Sequence, residues 1–467
     1  MSRSQGLRLD TDTLKADNAQ FLWHPMAHPA AMRKTRPDII ARGQGCWVWD
    51  VDGHKMLDGV AGLWSSNLGH SCREVRDAIV AQLDELPFFN TFRGTTHPRA
   101  IELSRALTDL MAPDGVAAVM FSNGGSDAVE GALKLARQYH KLRGEKDRTK
   151  FIALRQGYHG VHFGGMSVNG NTNFRRAYEP LLPGCFHIDS PWLYRNPWTR
   201  ATGAEAEAET GRQAAAALER EIVFQGPDTV AAFIAEPIQG AGGVIVPPSN
   251  FWPLVREVCD RHGVLLIADE VVTGFGRGGA MFGTRLWGVN ADLWCLAKGI
   301  SSGYIPLGAT AIGRKVAEAF DTDQTGAGQV THGYTYSAHP VAAAAAIATL
   351  RLLQAGDVPA HVARVSVPFQ QRLRGLVRRH PFIGDVRGHG LMLGVEMVAD
   401  PATRAPLPRS SDLPTRVARA AYRRGLMVRV SGPNLILSPP LVISEDELEF
   451  LCSALEGAFD DAASASA

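Results

Sequence analysis

Three short stretches of this sequence carry residue types and spacings that chemistry can use. Phe121 to Lys134 reads FSNGGSDAVEGALK: a strand end, an Asn-Gly-Gly-Ser turn, then a helix whose apolar face runs Ala128, Ala132, Leu135, Ala136, Tyr139. Such a turn aims backbone N–H groups at the space before the helix. Free amides and the helix dipole hold an anion there, phosphate above all, and glycines let its oxygens come close. An ordinary capped strand-to-helix turn reads the same way when taken alone. Val264 to Arg277, VLLIADEVVTGFGR, puts Asp269 and Glu270 at the end of an apolar strand. Carboxylates there are costly to desolvate, so a cationic or hydrogen-bonding group should face at least one of them. Leu293 to Gly308, LWCLAKGISSGYIPLG, puts Lys298 at the end of the next apolar strand, before a Gly/Ser-rich loop. A lysine in apolar surroundings has a lowered pKa, and its free amine can attack a carbonyl to form a Schiff base.

Each stretch has a plain structural reading, but the combination is what a pyridoxal phosphate site needs. The turn anchors phosphate, the aspartate keeps the pyridine nitrogen protonated, and the lysine holds the aldehyde. No paired metal-ligand spacing accompanies them.

The elements that must position these residues follow from hydropathy. From Val116 onward, short apolar runs alternate with helix-period stretches, the pattern of a mostly parallel sheet flanked by helices. The candidate strands are Val116 to Phe121, Lys150 to Leu154, Val230 to Ala235, Val264 to Ala268, Leu293 to Ala297 and Ala309 to Ile312. Runs so uniformly apolar suit strands buried on both faces, and sites in open α/β sheets form beyond the carboxyl ends of such strands. Cys46 to Leu57 alternates around Asp52-Gly53 like a hairpin. Val386 to Val398 and Leu426 to Leu441 read as strands, and Leu413 to Arg424 has helical spacing. The expected organisation is a large α/β domain over 69–340, with a smaller α+β domain made from both chain ends, 1–68 and 341–467.

Composition narrows the class. The 467 residues carry 48 Lys+Arg against 47 Asp+Glu, a formal charge of +1, which removes the basic footprint of a nucleic-acid binder. No apolar run approaches membrane-spanning length. The opening residues are polar and of mixed charge, unlike a signal peptide. The 6 cysteines are scattered, as expected of reduced thiols in a cytoplasmic protein. Ala201 to Leu218 reads as an exposed helix or a tolerant surface insertion, Ala342 to Leu353 as a closely packed Ala-rich helix, and Asp460 to Ala467 as a frayed tail.

In this order the three motifs resemble the class III aminotransferases of the fold-type I pyridoxal-phosphate superfamily. The likeness runs from Trp23 to Ala454. It is nearest to the ω-amino acid:pyruvate and amine:pyruvate aminotransferases through LDGVAGLWSSNLG (57–69), FFNTFRGTTHP (88–98), GYHGVHFGG (157–165), HGYTYSAHP (332–340) and VRVSGPNLILSPPL (428–441). The resemblance implies ping-pong transfer of an amino group from an amine or ω-amino acid to a keto acid, pyruvate. It makes Lys298 the Schiff-base lysine and proton shuttle, and Asp269 the partner of the pyridine nitrogen. Gly125 and Ser126 would hold phosphate, Tyr158 and Val271 would face the ring, Glu236 would lie on its hydroxyl side, and His159 would support the cofactor. Trp64, Phe92 and Tyr158 would line the substrate pocket, and Arg429 would receive a substrate carboxylate. Thr335 would reach the phosphate of a neighbouring subunit, which implies a homodimer or a tetramer. The turn departs from the family at Asn123 and Asp127, where Ser and Glu are usual, so what those side chains do is open. A different fold-type I reaction (aminomutase, epimerase or decarboxylating aminotransferase) stays in view. A nucleotide-dependent oxidoreductase would lack its G-x-G-x-x-G spacing and would leave Lys298 and Asp269 without a role.

Overall fold

The computed structural model describes residues 10–35 and 37–464, so the first nine residues of the polar opening stretch and the last three of the tail lie outside it. Near the start, β1 (Ile40–Gln44), β2 (Trp47–Asp50) and β3 (Lys55–Asp58) form an antiparallel meander. The β2–β3 hairpin turns through Asp52-Gly53 as expected, with the Asp50 carboxylate accepting from the amides of Asp52 and His54. The central strands are β4 (Val116–Ser122), β5 (Lys150–Leu154), β6 (Cys185–Ile188), β7 (Val230–Ala235), β8 (Leu265–Asp269), β9 (Leu293–Leu296) and β10 (Gly308–Gly313). They build one seven-stranded sheet in the order β4-β10-β9-β8-β7-β5-β6. Only β10 runs against its neighbours; the other pairings are parallel.

The strands β7, β8 and β9 are buried along their whole length, which explains their unbroken apolar sequence. The helix Gly125–Leu142 covers one face of the sheet with Ala128, Ala132, Leu135, Ala136 and Tyr139, the face its spacing predicted. Toward the C-terminus come β11 (Ile383–His389), β12 (Met392–Asp400), β13 (Ala405–Pro406), β14 (Leu426–Met427), β15 (Arg429–Ser431) and β16 (Asn434–Leu437). They form a second sheet, β11-β12-β16-β15 with β13 beside β12, except that β14 pairs in parallel with β3 and joins the two chain ends.

Three expectations change. Strand β6 was not anticipated, since CFHI is short and half-buried at the sheet edge. Of the two readings of Ala201 to Leu218 the helix holds, as part of Ala204–Gln225, but it is not an exposed one, since Ala214, Ala215, Leu218 and Ile222 are buried. The tail is not frayed from Asp460, because a helix runs to Ser464 and buries Phe459 and Ala462.

The sheet also dictates where the anion-binding turn can sit. Gly308 pairs with Ser122, and a Cβ on Gly308 would lie 2.2 Å from the Gly124 carbonyl oxygen. That atom is backbone and cannot rotate aside, so Gly308→Ala must push the turn off the sheet. The variant should lose about 1–3 kcal/mol, read as a lower denaturant midpoint in equilibrium unfolding; an unchanged midpoint would contradict this packing.

Candidate active site beyond the strand ends

Because β10 is antiparallel to both β4 and β9, β4 points the same way as β9 and β8. The Asn-Gly-Gly-Ser turn, Asp269 and Lys298 therefore leave the sheet along one edge, as sites in open α/β sheets do. A cavity of about 550 Å³ opens there, lined by Gly125, Ser126, Tyr158, Glu236, Asp269, Val271, Lys298, Trp64 and Arg429. With His159, which also lines it, ten of the residues expected from sequence thus meet in one place. Phe92 and Thr335 do not. Both are exposed, Phe92 bordering with Gly333 a separate hollow of about 670 Å³ and Thr335 lining neither.

The anion end is built from backbone. Gly124 is the N-cap of the Gly125–Leu142 helix and no side chain caps it, which leaves first-turn amides for a ligand. Gly125 must be glycine, since a Cβ would come within 2.8 Å of Val271 Cγ1. The departure at position 127 is functional in the local sense: Asp127 Oδ2 accepts from the Asn123 amide at 2.9 Å, and Oδ1 lies 2.6 Å from His162 Nε2. The shorter carboxylate closes the turn onto itself.

Asp269 is 4% exposed, and His159, itself 1% exposed, supplies the facing group, its Nδ1 2.8 Å from Asp269 Oδ2. The other oxygen accepts from the Val271 amide at 3.2 Å. Asn169 anchors the loop that carries His159 by donating from Nδ2 to the Gly160 carbonyl at 2.8 Å. Glu236 is buried as well, accepting from the amides of Tyr158 (2.9 Å) and Gly240 (2.8 Å). Burial raises its carboxyl to about 7, with Asp269 adding to the rise and His159 opposing it.

Lys298 follows β9 with φ of +47°, in the left-handed region that a residue with a Cβ seldom adopts, which aims its side chain into the cavity. Burial lowers its ammonium to about 8, against the pull of Asp269 and Glu236. Across the cavity, Arg429 has its pKa lowered by burial, with Tyr158 opposing the shift. Among the described residues, neither Lys298 Nζ nor the Arg429 guanidinium has a hydrogen-bond or ion-pair partner. A partly desolvated guanidinium that faces the cavity with no carboxylate in ion-pair range is a place for an anionic ligand group.

The residues present fit pyridoxal phosphate: uncapped amides for the phosphate, a buried carboxylate for the ring nitrogen and an unpaired amine for the aldehyde. Sequence reasoning missed the His159–Asp269 pair, whose members are 110 residues apart. It also missed Phe174, which lines the cavity and packs edge-on against Tyr158 at 5.1 Å. No local signal pointed to either. His339 caps the helix Pro340–Ala355, and His332 lies beside Lys134.

Comparison with known proteins agrees with this geometry. The family model for class III aminotransferases matches residues 30–459. The chain is 37% identical over 427 residues to the putrescine–pyruvate aminotransferase of Pseudomonas aeruginosa, covering 91% of each protein. It is 36% identical to the mitochondrial γ-aminobutyrate transaminase 1 of Oryza sativa subsp. indica, over 93% of this chain and 84% of that one. Among solved structures, a PLP-bound amine transaminase from an uncultivated Pseudomonas species superposes with a TM-score of 0.92 at 51% identity, over 95% of this chain and 99% of that one. An (S)-enantioselective ω-transaminase from Thermomicrobium roseum gives 0.93 at 37% identity, over 97% and 99%.

The lysine's lowered pKa has a consequence for stability. Between about 8 and the ordinary 10.5, the unfolded chain holds a proton that folded Lys298 has released, so stability rises with pH across that window. In the cofactor-free protein, the unfolding free energy of the wild type should therefore gain on that of Lys298→Met as pH rises through it. Parallel curves for the two proteins would contradict a buried, depressed Lys298.

Proposed function

This chain belongs to the class III aminotransferases, which use pyridoxal phosphate, and from that premise we propose that it moves an amino group from an amine or ω-amino acid to pyruvate in two half-reactions at one site. The observation that carries the choice of substrates is the unpaired Arg429 guanidinium in the same cavity as Lys298. A keto acid brings a carboxylate that a planar bidentate donor suits. The wall around it, Leu63, Trp64, Phe174 and Val272, suits the carbon skeleton of an amine.

When bound, pyridoxal phosphate supplies a carbonyl that takes up an amino group and a conjugated ring that accepts the electron pair left on the donor carbon. Lys298, with its amine neutral in a larger fraction than in water, acts as nucleophile toward that carbonyl. The same amine, when not engaged with that carbonyl, would take the proton from the donor carbon. Asp269, held by His159, keeps the ring nitrogen protonated. The uncapped helix start at Gly125 and Ser126 retains the phosphate, and Tyr158 and Val271 confine the ring. Arg429 binds the carboxylate of the keto acid in the second half-reaction and leaves that space to an apolar substituent in the first.

The working unit in this reading is a homodimer. Phe92 and the loop carrying Thr335 share a face with exposed Phe88, Phe89, Ile101, Val330 and Tyr336. Clustered exposed apolar side chains of this kind mark interaction surfaces, and a second copy would cover them while bringing Phe92 and Thr335 to the neighbour's cavity.

The test combines product and attachment. Purified protein offered a panel of amines with pyruvate should form alanine, and Lys298→Ala should abolish it. Borohydride reduction followed by peptide mapping should place a pyridoxyl group on Lys298. A pyridoxyl group on Lys134 or Lys315, or no alanine from any amine, would overturn the proposal.

A further inference from the structure

The cavity side of β15 carries a support that the reaction itself does not use. Side chains alternate along a strand, so Arg429 and Ser431 share one face while Val430 points away and is exposed. Ser431 Oγ donates to the carbonyl of Ala241 at 2.9 Å, and Ala241 lies in the cavity wall. The loop holding Ala241 is pinned at its start, where the Gly240 amide donates to Glu236 Oε2. One hydroxyl therefore ties the strand carrying Arg429 to a loop that is fixed from the sheet side.

Behind Ser431 stands a chain of buried polar groups. Asn434, its partner in the β15–β16 register, donates from Nδ2 to the Ser431 carbonyl at 3.1 Å and accepts from Arg387 at 2.8 Å. Arg387 in turn donates to Glu396 at 2.7 Å, and Glu396, 1% exposed, also accepts from Arg195 at 2.8 Å. Gly243 closes the arrangement, because a Cβ there would lie 2.8 Å from Asn434 Nδ2 and 2.9 Å from Arg387 NH2. These groups do not line the cavity that holds Lys298, yet they are bonded to one another around the turn next to Arg429. A long, unpaired guanidinium has many rotamers, and its strand anchor sets where the head can start from.

We propose that Ser431, backed by Asn434, Arg387 and Glu396, is a positioning residue that holds β15 so that Arg429 meets the carboxylate of the keto-acid acceptor. This deepens the reading of Arg429 given above and rests on it. The support bears on the acceptor with a carboxylate and is silent for an acceptor without one.

The holoenzyme tests this with one aralkyl amine donor and two acceptors, pyruvate and propanal. Ser431→Ala should raise the KM for pyruvate roughly five-fold, the weight of one neutral hydrogen bond, while kcat and the KM for propanal stay at the wild-type values. Ser431→Thr, which keeps the hydroxyl, should restore the pyruvate KM. Equal KM increases for both acceptors would show a merely structural serine and overturn the proposal. An unchanged pyruvate KM in Ser431→Ala, with a raised one in Arg429→Ala, would overturn the positioning role alone. An unchanged pyruvate KM in Arg429→Ala would bring down the reading of Arg429 and the proposal with it.

Discussion

A carboxylate at the end of a fully buried apolar strand is the constraint around which the site is arranged. Strand β8 delivers Asp269 to a place with almost no solvent, where an unpaired charge would be driven to neutralise. His159 supplies the partner at 2.8 Å, and its own loop has to be fixed for the purpose. Asn169 secures the loop through the Gly160 carbonyl. Gly160, at φ +91°, passes so close to Ser126 that a Cβ would lie 2.6 Å from its hydroxyl oxygen. The Val161 amide donates to that hydroxyl at 3.2 Å. A single thread of contacts thus runs from the ring-nitrogen end of the site to the phosphate end, so neither end can move without the other.

The remaining charges follow the same logic. Glu236 is sheltered by two amides and pushed toward neutrality by burial. Lys298 is pushed toward its free base, and Arg429 stands without a counter-charge. Asp269 and Glu236 are taken up by His159 and by backbone amides, so the uncapped helix start at one side of the cavity and the free guanidinium at another still lack negative charge. A phosphorylated cofactor and a carboxylate substrate supply it. The site is therefore organised for ligands, and its strained lysine backbone, at φ +47°, is of the kind that surrounding structure must impose.

Much of this was legible in the sequence because it is local. The turn, the strand-end aspartate and the strand-end lysine each occupy a few consecutive residues, and hydropathy alone places them at strand ends. Strands β5 and β7 have the ends expected from their apolar runs. The rest depends on contacts between distant segments. His159 meets Asp269 only because β5 and β8 flank β7. The Ala204–Gln225 helix hides a buried face of alanines, which composition cannot tell from an exposed one. Phe92 and Thr335 carry family-like motifs, yet in one chain they lie away from Lys298. In the homodimer proposed above a second copy would bring them to the cavity, which spacing along one sequence cannot display.

The central claim is that buried Asp269 drives the chemistry through the ring nitrogen rather than by retaining the cofactor. Asp269→Asn keeps the shape and the partner groups but removes the charge. The account predicts that the single-turnover rate of the amine half-reaction, followed by cofactor absorbance, falls by roughly 10²-fold or more while pyridoxal phosphate stays bound. A near-normal rate in the loaded variant would contradict it.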